Sequence, residues 1–177
     1  MSRVFSGVRD EVIIGTDGDD LVESWGSCAS INTGAGNDSI YARGILATIH
    51  GGDGSDYIVV RKNYVAAFGD EGNDALHVDA ASSDNVNIAN VTLSGGAGSD
   101  RFVFQPHNHT IYGALIADFE PETDSIRFYA DAQESIFPSI SYDTSADGDL
   151  ILRNSYGTIN VTLKGIKDLS EIADSNL

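Results

Sequence analysis

An 18-residue repeat constrains the fold of this chain more than any other feature of its sequence. Five six-residue segments share a frame in which Gly holds the fourth place and Asp the sixth. They are GTDGDD from Gly15, TGAGND from Thr33, GGDGSD from Gly51, GDEGND from Gly69 and GGAGSD from Gly95. The first four start 18 residues apart, and the fifth keeps the frame after an insertion of eight residues. A fixed period of this kind predicts similar structural units stacked on one another, none of which is stable alone.

A nine-residue period runs inside the longer one. An apolar residue stands two places after each repeated Asp, and another stands half a period later. The first row is Val22, Ile40, Ile58, Leu76 and Phe102, and the second is Ile13, Ile31, Ile49, Ala67 and Leu93. Because neighbours along a strand point to opposite faces, each of these residues marks the inward position of a short strand. The sequence therefore predicts an all-β fold, a right-handed parallel β-roll (a β-solenoid) with two strands and two turns in each coil.

The chain divides into three parts on this pattern. Residues 1–14 start the roll, residues 15–104 carry the repeats, and residues 105–177 follow them. The last part contains the alternating segments SISYDT, DLILRN and TINVTLKGI, separated by SADG and SYG turns. These segments predict a C-terminal antiparallel β cap that shields the open end of the solenoid.

The chain is strongly acidic, with a formal net charge of −17 from 27 acidic and 10 basic residues. Repulsion between like charges argues against nucleic acid and anionic membranes as partners. Cys28 is the only cysteine, so an internal disulfide and a zinc cluster are excluded. No apolar run matches a signal peptide or a membrane span, so neither a cleaved N-terminal signal nor membrane insertion is expected.

The repeats resemble the RTX (repeats-in-toxin) nonapeptide G-G-x-G-x-D-x-U-x, in which U is a large apolar residue. GGDGSDYIV from Gly51 and GGAGSDRFV from Gly95 fit at every place. The other three repeats depart at the first or second Gly, through Thr33, Thr16 and Asp70. The region is similar to the C-terminal domains of secreted serralysin-type metalloproteases and to the R-modules of mannuronan epimerases.

The resemblance implies calcium binding. In that family each ion sits between turns of adjacent coils and takes oxygen ligands from both. Gly-rich turns direct backbone carbonyls to one side, the Asp adds a carboxylate, and Ca²⁺ takes about six to eight such oxygens. Five stacked turns imply up to four Ca²⁺ ions, between neighbouring sixth-place residues. The implied metal residues are Gly15, Asp17, Gly18, Asp20, Thr33, Ala35, Gly36, Asp38, Gly51, Asp53, Gly54, Asp56, Gly69, Glu71, Gly72, Asp74, Gly95, Ala97, Gly98 and Asp100, with Asp118 and Asp124.

Asp118 and Asp124 lie in the segment LIADFEPETDSIRF, which follows the repeats. This segment resembles the D-F-x-x-x-x-D-x-I pattern that closes the roll in RTX proteins. The two carboxylates either hold one more ion or cap turns by accepting backbone N–H bonds. The sequence leaves both alternatives open.

The stacked carboxylates predict that folding depends on metal. Carboxylates about 5 Å apart repel by roughly 3 kcal/mol per neighbouring pair at an effective dielectric constant near 20. Several such pairs rival the stability of a small domain, about 5–15 kcal/mol. We therefore expect the roll to be disordered without Ca²⁺ and to fold on binding it. The alternative is a metal-free solenoid in which Asp side chains cap turns through backbone N–H groups.

The turns between the repeats lack the Gly–x–Asp ending and are not expected to bind calcium. They carry a row of residues one coil apart: Trp25, Cys28, Ile45, Leu46 and Tyr64. An apolar row of this kind is usually covered. The cover is either the chain's own C-terminal segment or the insertion from Asp79 to Asn90, or else a second copy or another partner protein.

The sequence shows no catalytic signature. His107 and His109, in QPHNHT, either chelate a transition metal or lie in an exposed loop. No nucleophile motif and no HExxH zinc helix is present. We therefore expect a chain that is not itself an enzyme.

The expected function is a calcium-dependent folding and secretion module of an extracellular bacterial protein. The tail KDLSEIADSNL resembles the acidic ends that type I secretion machinery reads, so a secreted location is expected. The alternative is a binding module, which contacts an anionic polysaccharide of the polyuronate class through Arg43, Arg61 and Lys62, or a protein partner through the apolar turns.

Overall fold

The computed structural model describes residues 2–80, 87–129, 140–154 and 157–172, to which every structural statement refers. The strands are β1 (Arg3–Ser6), β2 (Val12–Thr16), β3 (Leu21–Ser24), β4 (Ser30–Ala35), β5 (Ser39–Ala42), β6 (Thr48–Asp53), β7 (Tyr57–Val60), β8 (Ala66–Glu71), β9 (Ala75–Asp79), β10 (Ile88–Ala89), β11 (Thr92–Ala97), β12 (Arg101–Gln105), β13 (Ile111–Ile116), β14 (Ser125–Phe128), β15 (Ile140–Thr144), β16 (Leu150–Asn154) and β17 (Ile159–Leu163). A 3-10 helix follows at Leu169–Glu171. Within the described residues, no helix is long and apolar enough to cross a membrane.

The strands alternate between two parallel sheets. The seven-stranded sheet has the order β1-β3-β5-β7-β9-β12-β14, and the ten-stranded sheet runs from β15 through β16, β17, β13, β11, β8, β6 and β4 to β2. Each strand pairs with the strand one coil away, so Val22 lies beside Ile40 and Ile31 beside Ile49. This arrangement confirms the predicted parallel β-roll.

The predicted inward residues form the core between the sheets. Both rows of the nine-residue period are buried, and Phe102 and Phe104 are the largest side chains that solvent does not reach. A third row, which includes Ala42, Val60 and Val78, also points inward at the ends of the seven-stranded sheet's strands. Each large side chain contributes about 1.5–3 kcal/mol on burial, and stacked coils share that burial.

The insertion leaves the stacking intact. Phe102 still pairs with Leu76, and Leu93 with Ala67, so the last coil keeps the register of the earlier ones. Part of the insertion forms β10, which pairs with β13. Residues 81–86 of the insertion lie outside the described residues.

The C-terminal segments form the predicted antiparallel cap. Strands β15, β16 and β17 pair antiparallel, and β17 joins the ten-stranded sheet by pairing parallel with β13. Leu150, Leu152 and Val161 from the cap complete the core. The described part of the tail forms a short helical turn with a capping box between Asp168 and Glu171, and residues 173–177 lie outside the described residues.

Candidate metal centre

The five repeated turns lie on one edge of the roll, which we call the Asp edge (residues 15–20, 33–38, 51–56, 69–74 and 95–100). In each turn, the first two or three residues are the last residues of a strand in the ten-stranded sheet. The sixth-place Asp directly precedes a strand of the other sheet. The third repeat is typical, since β6 ends at Asp53 and β7 begins after Asp56. Parallel pairing therefore stacks equal places of successive turns.

The fourth-place glycines allow these turns to stack closely. Gly54, Gly72 and Gly98 have φ angles of 132°, 134° and 136°, which side chains rarely adopt. A Cβ atom on Gly72 would overlap the carbonyl oxygen of Gly54, and one on Gly98 would overlap that of Gly72. Glycine is thus needed here both for backbone conformation and for space.

The sixth-place side chains form a buried ladder of carboxylates, each no more than 3% exposed. The backbone N–H of each Asp donates to Oδ1 of the next Asp along the roll. These bonds run from Asp20 to Asp38 (2.7 Å), Asp38 to Asp56 (2.7 Å), Asp56 to Asp74 (2.8 Å), Asp74 to Asp100 (2.8 Å) and Asp100 to Asp124 (2.9 Å). Sequence reasoning missed these bonds, because the 18-residue spacing identifies the column without showing which backbone group faces each carboxylate.

The four interior members of the ladder each leave one carboxylate oxygen without a partner. The Oδ2 atoms of Asp38, Asp56, Asp74 and Asp100 are buried and make no hydrogen bond. A buried charged oxygen without a partner costs several kcal/mol. A cation that fills the adjacent space removes this cost.

The two ends of the ladder differ from its interior. Asp20 accepts the N–H of Ser2 on Oδ1 (2.6 Å) and both the N–H and the hydroxyl of Thr16 on Oδ2 (2.7 and 3.0 Å). At the other end, Asp124 accepts the N–H of Glu120 on Oδ2 (2.9 Å). Both terminal carboxylates are therefore fully hydrogen-bonded by the protein itself.

Burial shifts the pKa of four of the ladder carboxyls upward. It raises the pKa of Asp74 to about 7 and that of Asp56 to about 6, with further rises from neighbouring carboxylates. The pKa of Asp100 is raised, and that of Asp124 is raised to about 6, again first by burial. Burial also acts on Asp20, but its hydrogen bonds outweigh that effect and its pKa is lowered. The metal-free ladder thus holds protons that a cation would displace.

The chemistry of this edge fits calcium. A Cβ atom built on Gly51 would overlap Oδ2 of Asp56 and lie 2.8 Å from the carbonyl oxygen of Gly69. An unpartnered carboxylate oxygen and a backbone carbonyl oxygen therefore face the same space, and hard oxygens are the ligands that Ca²⁺ prefers. Among the described residues, no three His, Cys, Asp or Glu side chains group as a metal site. A cation on this edge would have to draw mainly on backbone carbonyls.

The third-place residues lie differently from their fourth- and sixth-place neighbours. Their side chains point towards solvent, and three of their carbonyls already accept backbone hydrogen bonds. The oxygens of Asp53, Glu71 and Ala97 each accept the N–H of a fourth-place Gly one coil earlier, at 2.8 Å. The close stacking of the turns thus engages these three oxygens.

Asp118 caps the last repeated turn. Its carboxylate accepts the hydroxyl of Ser94 (2.5 Å) and the backbone N–H groups of Gly95 and Gly96 (both 3.0 Å). Asp124, in contrast, extends the carboxylate ladder. The two acidic residues that the closing segment supplies therefore occupy different environments.

Two histidines, His50 and His107, lie within hydrogen-bond distance of aspartates. His107 Nε2 lies 2.9 Å from Asp79, which also pairs with Arg61 at 2.7 Å. His50 lies 3.0 Å from Asp70 and stacks on Phe68 with ring centroids 4.7 Å apart. Sequence reasoning missed the His50–Asp70 pair, because it is formed by different places of different repeats.

The turns opposite the Asp edge, which we call the plain edge (residues 7–10, 25–28, 43–46 and 61–64), expose their apolar row. Trp25 is 49% exposed, Tyr64 55% exposed, and Ile45 and Leu46 are exposed as well. Of the alternatives for their cover, the described parts of the cap and the insertion leave these four side chains exposed.

The basic side chains near this edge are engaged in contacts within the chain. Arg43 lies 3.7 Å from Glu23 and over the ring of Trp25, at 5.9 Å from its centroid. Arg61 pairs with Asp79. Neither guanidinium group therefore faces solvent as an unpaired charge.

Comparison with known proteins identifies the repeats. Four stretches, residues 5–26, 30–44, 48–60 and 88–104, match the family model of the RTX calcium-binding nonapeptide repeat. The turn at 69–74 lies outside these stretches, although it stacks in the same register. No curated protein matches the sequence.

Two solved structures are similar. One is the solution structure of the AlgE6R3 subunit of the mannuronan C5-epimerase from Azotobacter vinelandii, with 19% identity, a TM-score of 0.41, and coverage of 98% of this chain and 77% of that one. The other is the extracellular lipase LipA from Serratia marcescens, with 17% identity and a TM-score of 0.36; it covers 93% of this chain, which spans only 39% of the lipase. At these values neither likeness supports an argument about function. The four matched stretches show that this chain carries four copies of the RTX calcium-binding nonapeptide repeat.

Proposed function

We propose that residues 15–104 form a non-catalytic module that folds when its Asp edge takes up Ca²⁺. The observation that carries this proposal is the set of four buried carboxylate oxygens without partners. Bound Ca²⁺ would supply the positive charge that this ladder lacks. The protein's own part is to hold the carboxylates in register and to present carbonyl oxygens beside them.

A calcium titration tests the proposal. EDTA-treated protein is followed by far-UV circular dichroism while CaCl₂ is added, with MgCl₂ as the control cation. We expect a coil-to-β transition with Ca²⁺ alone, because Mg²⁺ demands a tighter octahedral site and gives up its water reluctantly. A β spectrum that stays unchanged throughout the titration would show that the turns fold without metal.

Calcium-dependent folding suits a protein that crosses a membrane unfolded. We infer a secreted, extracellular location with export by a type I system, supported by the family and by the acidic tail. Extracellular modules bind Ca²⁺ with dissociation constants of about 10⁻⁴–10⁻³ M, far above cytosolic concentrations. Protease sensitivity at submicromolar Ca²⁺, replaced by resistance at millimolar Ca²⁺, is the expected result. Equal resistance at both concentrations would contradict this role.

A second candidate function is self-association through the plain edge. It is favoured by the exposure of Trp25, Ile45, Leu46 and Tyr64 in one row. Sedimentation velocity over a range of protein concentrations in saturating Ca²⁺ tests it, with Trp25→Ser as the matched variant. A mass that is independent of concentration would remove this candidate.

Binding of a polyuronate has weaker support. The overall charge of −17 repels such a polymer, and Arg43 and Arg61 already pair with acidic side chains. An alginate gel shift at fixed Ca²⁺ tests it directly, and retardation would restore this alternative.

A further inference from the structure

The five turns of the Asp edge differ in what lies beside their first place. In the third, fourth and fifth turns this place is Gly51, Gly69 or Gly95. A Cβ atom on any of the three would overlap Oδ2 of the sixth-place Asp of the same turn. The carboxylate oxygen therefore lies in the place that a first-place side chain would take, and we call this place the glycine pocket. In the third and fourth turns, the first-place carbonyl oxygen of the next coil also lies beside it.

The second turn has Thr33 at this place. Thr33 is fully buried, at 0% exposure, and its hydroxyl donates to the carbonyl oxygen of Gly51 at 2.7 Å. That oxygen corresponds to the carbonyl oxygens of Gly69 and Gly95 in the next two pockets. The threonine side chain therefore stands where the last three turns have no side chain, and its hydroxyl engages a carbonyl oxygen that a cation would need.

The carboxylate of the second turn is still present beside this side chain. Asp38 is buried, and its Oδ2 has no hydrogen-bond partner, because the Thr33 hydroxyl donates to Gly51 instead. The second turn thus retains the buried carboxylate of a metal site, but the carbonyl oxygen of Gly51 beside it is engaged by Thr33.

The first turn also satisfies its carboxylate from within. Thr16, at the second place, donates its N–H and hydroxyl to Oδ2 of Asp20. Threonine hydroxyl groups thus make hydrogen bonds in the first two turns. The last three turns instead combine a first-place glycine with an unpartnered buried oxygen, on Asp56, Asp74 and Asp100.

We propose that Thr33 closes the glycine pocket of the second turn to calcium, so that the Asp edge binds three Ca²⁺ ions, in its third, fourth and fifth turns. The first two coils are held together by hydroxyl and backbone hydrogen bonds. This inference rests on the proposed calcium-binding function and assigns it to particular turns.

Ion counting on a gain-of-site variant tests the inference. Bound calcium is measured by equilibrium dialysis in saturating CaCl₂ for the wild type, Thr33→Gly and Thr48→Gly. Glycine at residue 33 reproduces the first place of the other four turns, so it leaves the carbonyl oxygen of Gly51 without the threonine hydroxyl, beside an unpartnered carboxylate. Thr48 is an exposed residue of β6, and its change to glycine is the matched control. We expect three ions for the wild type and for Thr48→Gly, and four for Thr33→Gly.

The outcomes separate the two proposals. Equal, nonzero counts in the wild type and Thr33→Gly overturn the closure by Thr33 and leave calcium binding intact. A count of zero in every protein overturns calcium binding itself and the closure with it. If Thr33→Gly does not fold, the reverse variant Gly51→Thr decides: a count lower by one supports the closure, and an unchanged count overturns it.

Discussion

At both edges of the roll the chain passes from one sheet to the other in every coil. The turns that make this connection are stabilised in different ways at the two edges. On the plain edge, Cys28, Leu46 and Tyr64 adopt left-handed φ angles of 60°, 59° and 59°. Their backbone N–H groups donate to carbonyls of the next coil at 2.8–3.2 Å. This edge is closed by backbone hydrogen bonds between coils. The Asp edge adds a column of buried carboxylates with unpartnered oxygens.

The two edges differ in whether their stability depends on the cations in the surrounding solution. Successive coils repeat the carboxylate at the same place, so the four interior members of the ladder share the same unpartnered oxygen. The plain edge repeats neutral hydrogen bonds and needs no external partner. Calcium dependence is therefore a property of one edge, and changes to the two edges should have different signatures.

The largest expected effect comes from a methyl group at a fourth-place glycine. Gly72→Ala places a Cβ atom against the carbonyl oxygen of Gly54, at a φ of 134°. We expect a loss of about 3 kcal/mol or more in the free energy of unfolding, from strain and overpacking together. Urea denaturation in saturating Ca²⁺ measures it.

Gly148→Ala is the control for that variant. Gly148 also has a positive φ, 82°, but no atom lies within 4 Å of a Cβ built there. Backbone strain alone should cost about 1–2 kcal/mol. Equal losses in the two variants would show that close stacking does not require glycine at residue 72.

Asp74→Asn should change calcium affinity and metal-free stability in opposite directions. The amide removes a charged oxygen that has no partner, so the calcium midpoint should rise about tenfold or more, equivalent to about 1.4 kcal/mol. It also removes one repulsive charge from the ladder, so the metal-free protein should become more stable. Calcium titration measures the first effect, and the far-UV circular dichroism of the protein in EDTA, compared with that of the wild type, measures the second.

Asp53→Asn is the matched control, because Asp53 is an exposed third-place residue on the same edge. Its midpoint should shift by less than about threefold, as exposed charges interact weakly. Similar shifts for both variants would mean that the edge acts only through its total charge.

The pH dependence of the metal-free protein should reflect the raised carboxyl pKa values. The folded pKa is about 7 for Asp74 and about 6 for Asp56 and Asp124, above the ordinary value of 3.8. The folded state therefore binds more protons than the unfolded state between about pH 4 and 7. The stability from these groups is fully present below that window and is lost as pH rises through 6–7.

Far-UV circular dichroism in EDTA at pH 5, 6 and 7.5 checks this sign, and we expect the β signal to fall in that order. Calcium should bind more weakly at pH 5 than at pH 7.5, because protons compete for the same oxygens. Metal-free stability that increases from pH 5 to 7.5 would contradict the raised pKa values.

The smallest expected effect belongs to the plain edge. Leu46→Gly relieves a left-handed conformation that costs an L-residue about 1–2 kcal/mol, and glycine's extra unfolded freedom offsets part of that gain. We expect a net stabilisation of up to about 1 kcal/mol in urea denaturation, with no change in calcium midpoint. Ile45→Gly, at an exposed neighbour without positive φ, should be destabilising. A loss in Leu46→Gly equal to that in Ile45→Gly would disprove the strain.

The sequence was enough to predict the roll and the position of the Asp edge. Period-9 apolar residues such as Ile40 and Ile58 are buried where the pattern placed them, because a strand's alternation and a fixed repeat leave one way to stack them. The cap strands followed from alternation and turn residues in the same way. The sequence also indicated that Asp74 and its equivalents face one another.

The contacts around those carboxylates could not be predicted. Asp118 and Asp124 look alike in a motif, yet one accepts hydrogen bonds from Gly95 and Gly96 and the other extends the ladder. Their difference depends on how the closing segment packs against the last coil. The exposure of Trp25 likewise depends on where distant segments run.

The period, the inward columns and the turn glycines follow from the sequence alone, because they depend on local conformation repeated at a constant interval. The tertiary structure was needed to show which carboxylate oxygens have partners, that the Thr33 hydroxyl engages the carbonyl of Gly51, and which edge stays exposed. These depend on groups 18 or more residues apart meeting within hydrogen-bond distance, and a repeat pattern specifies their register without specifying their contacts.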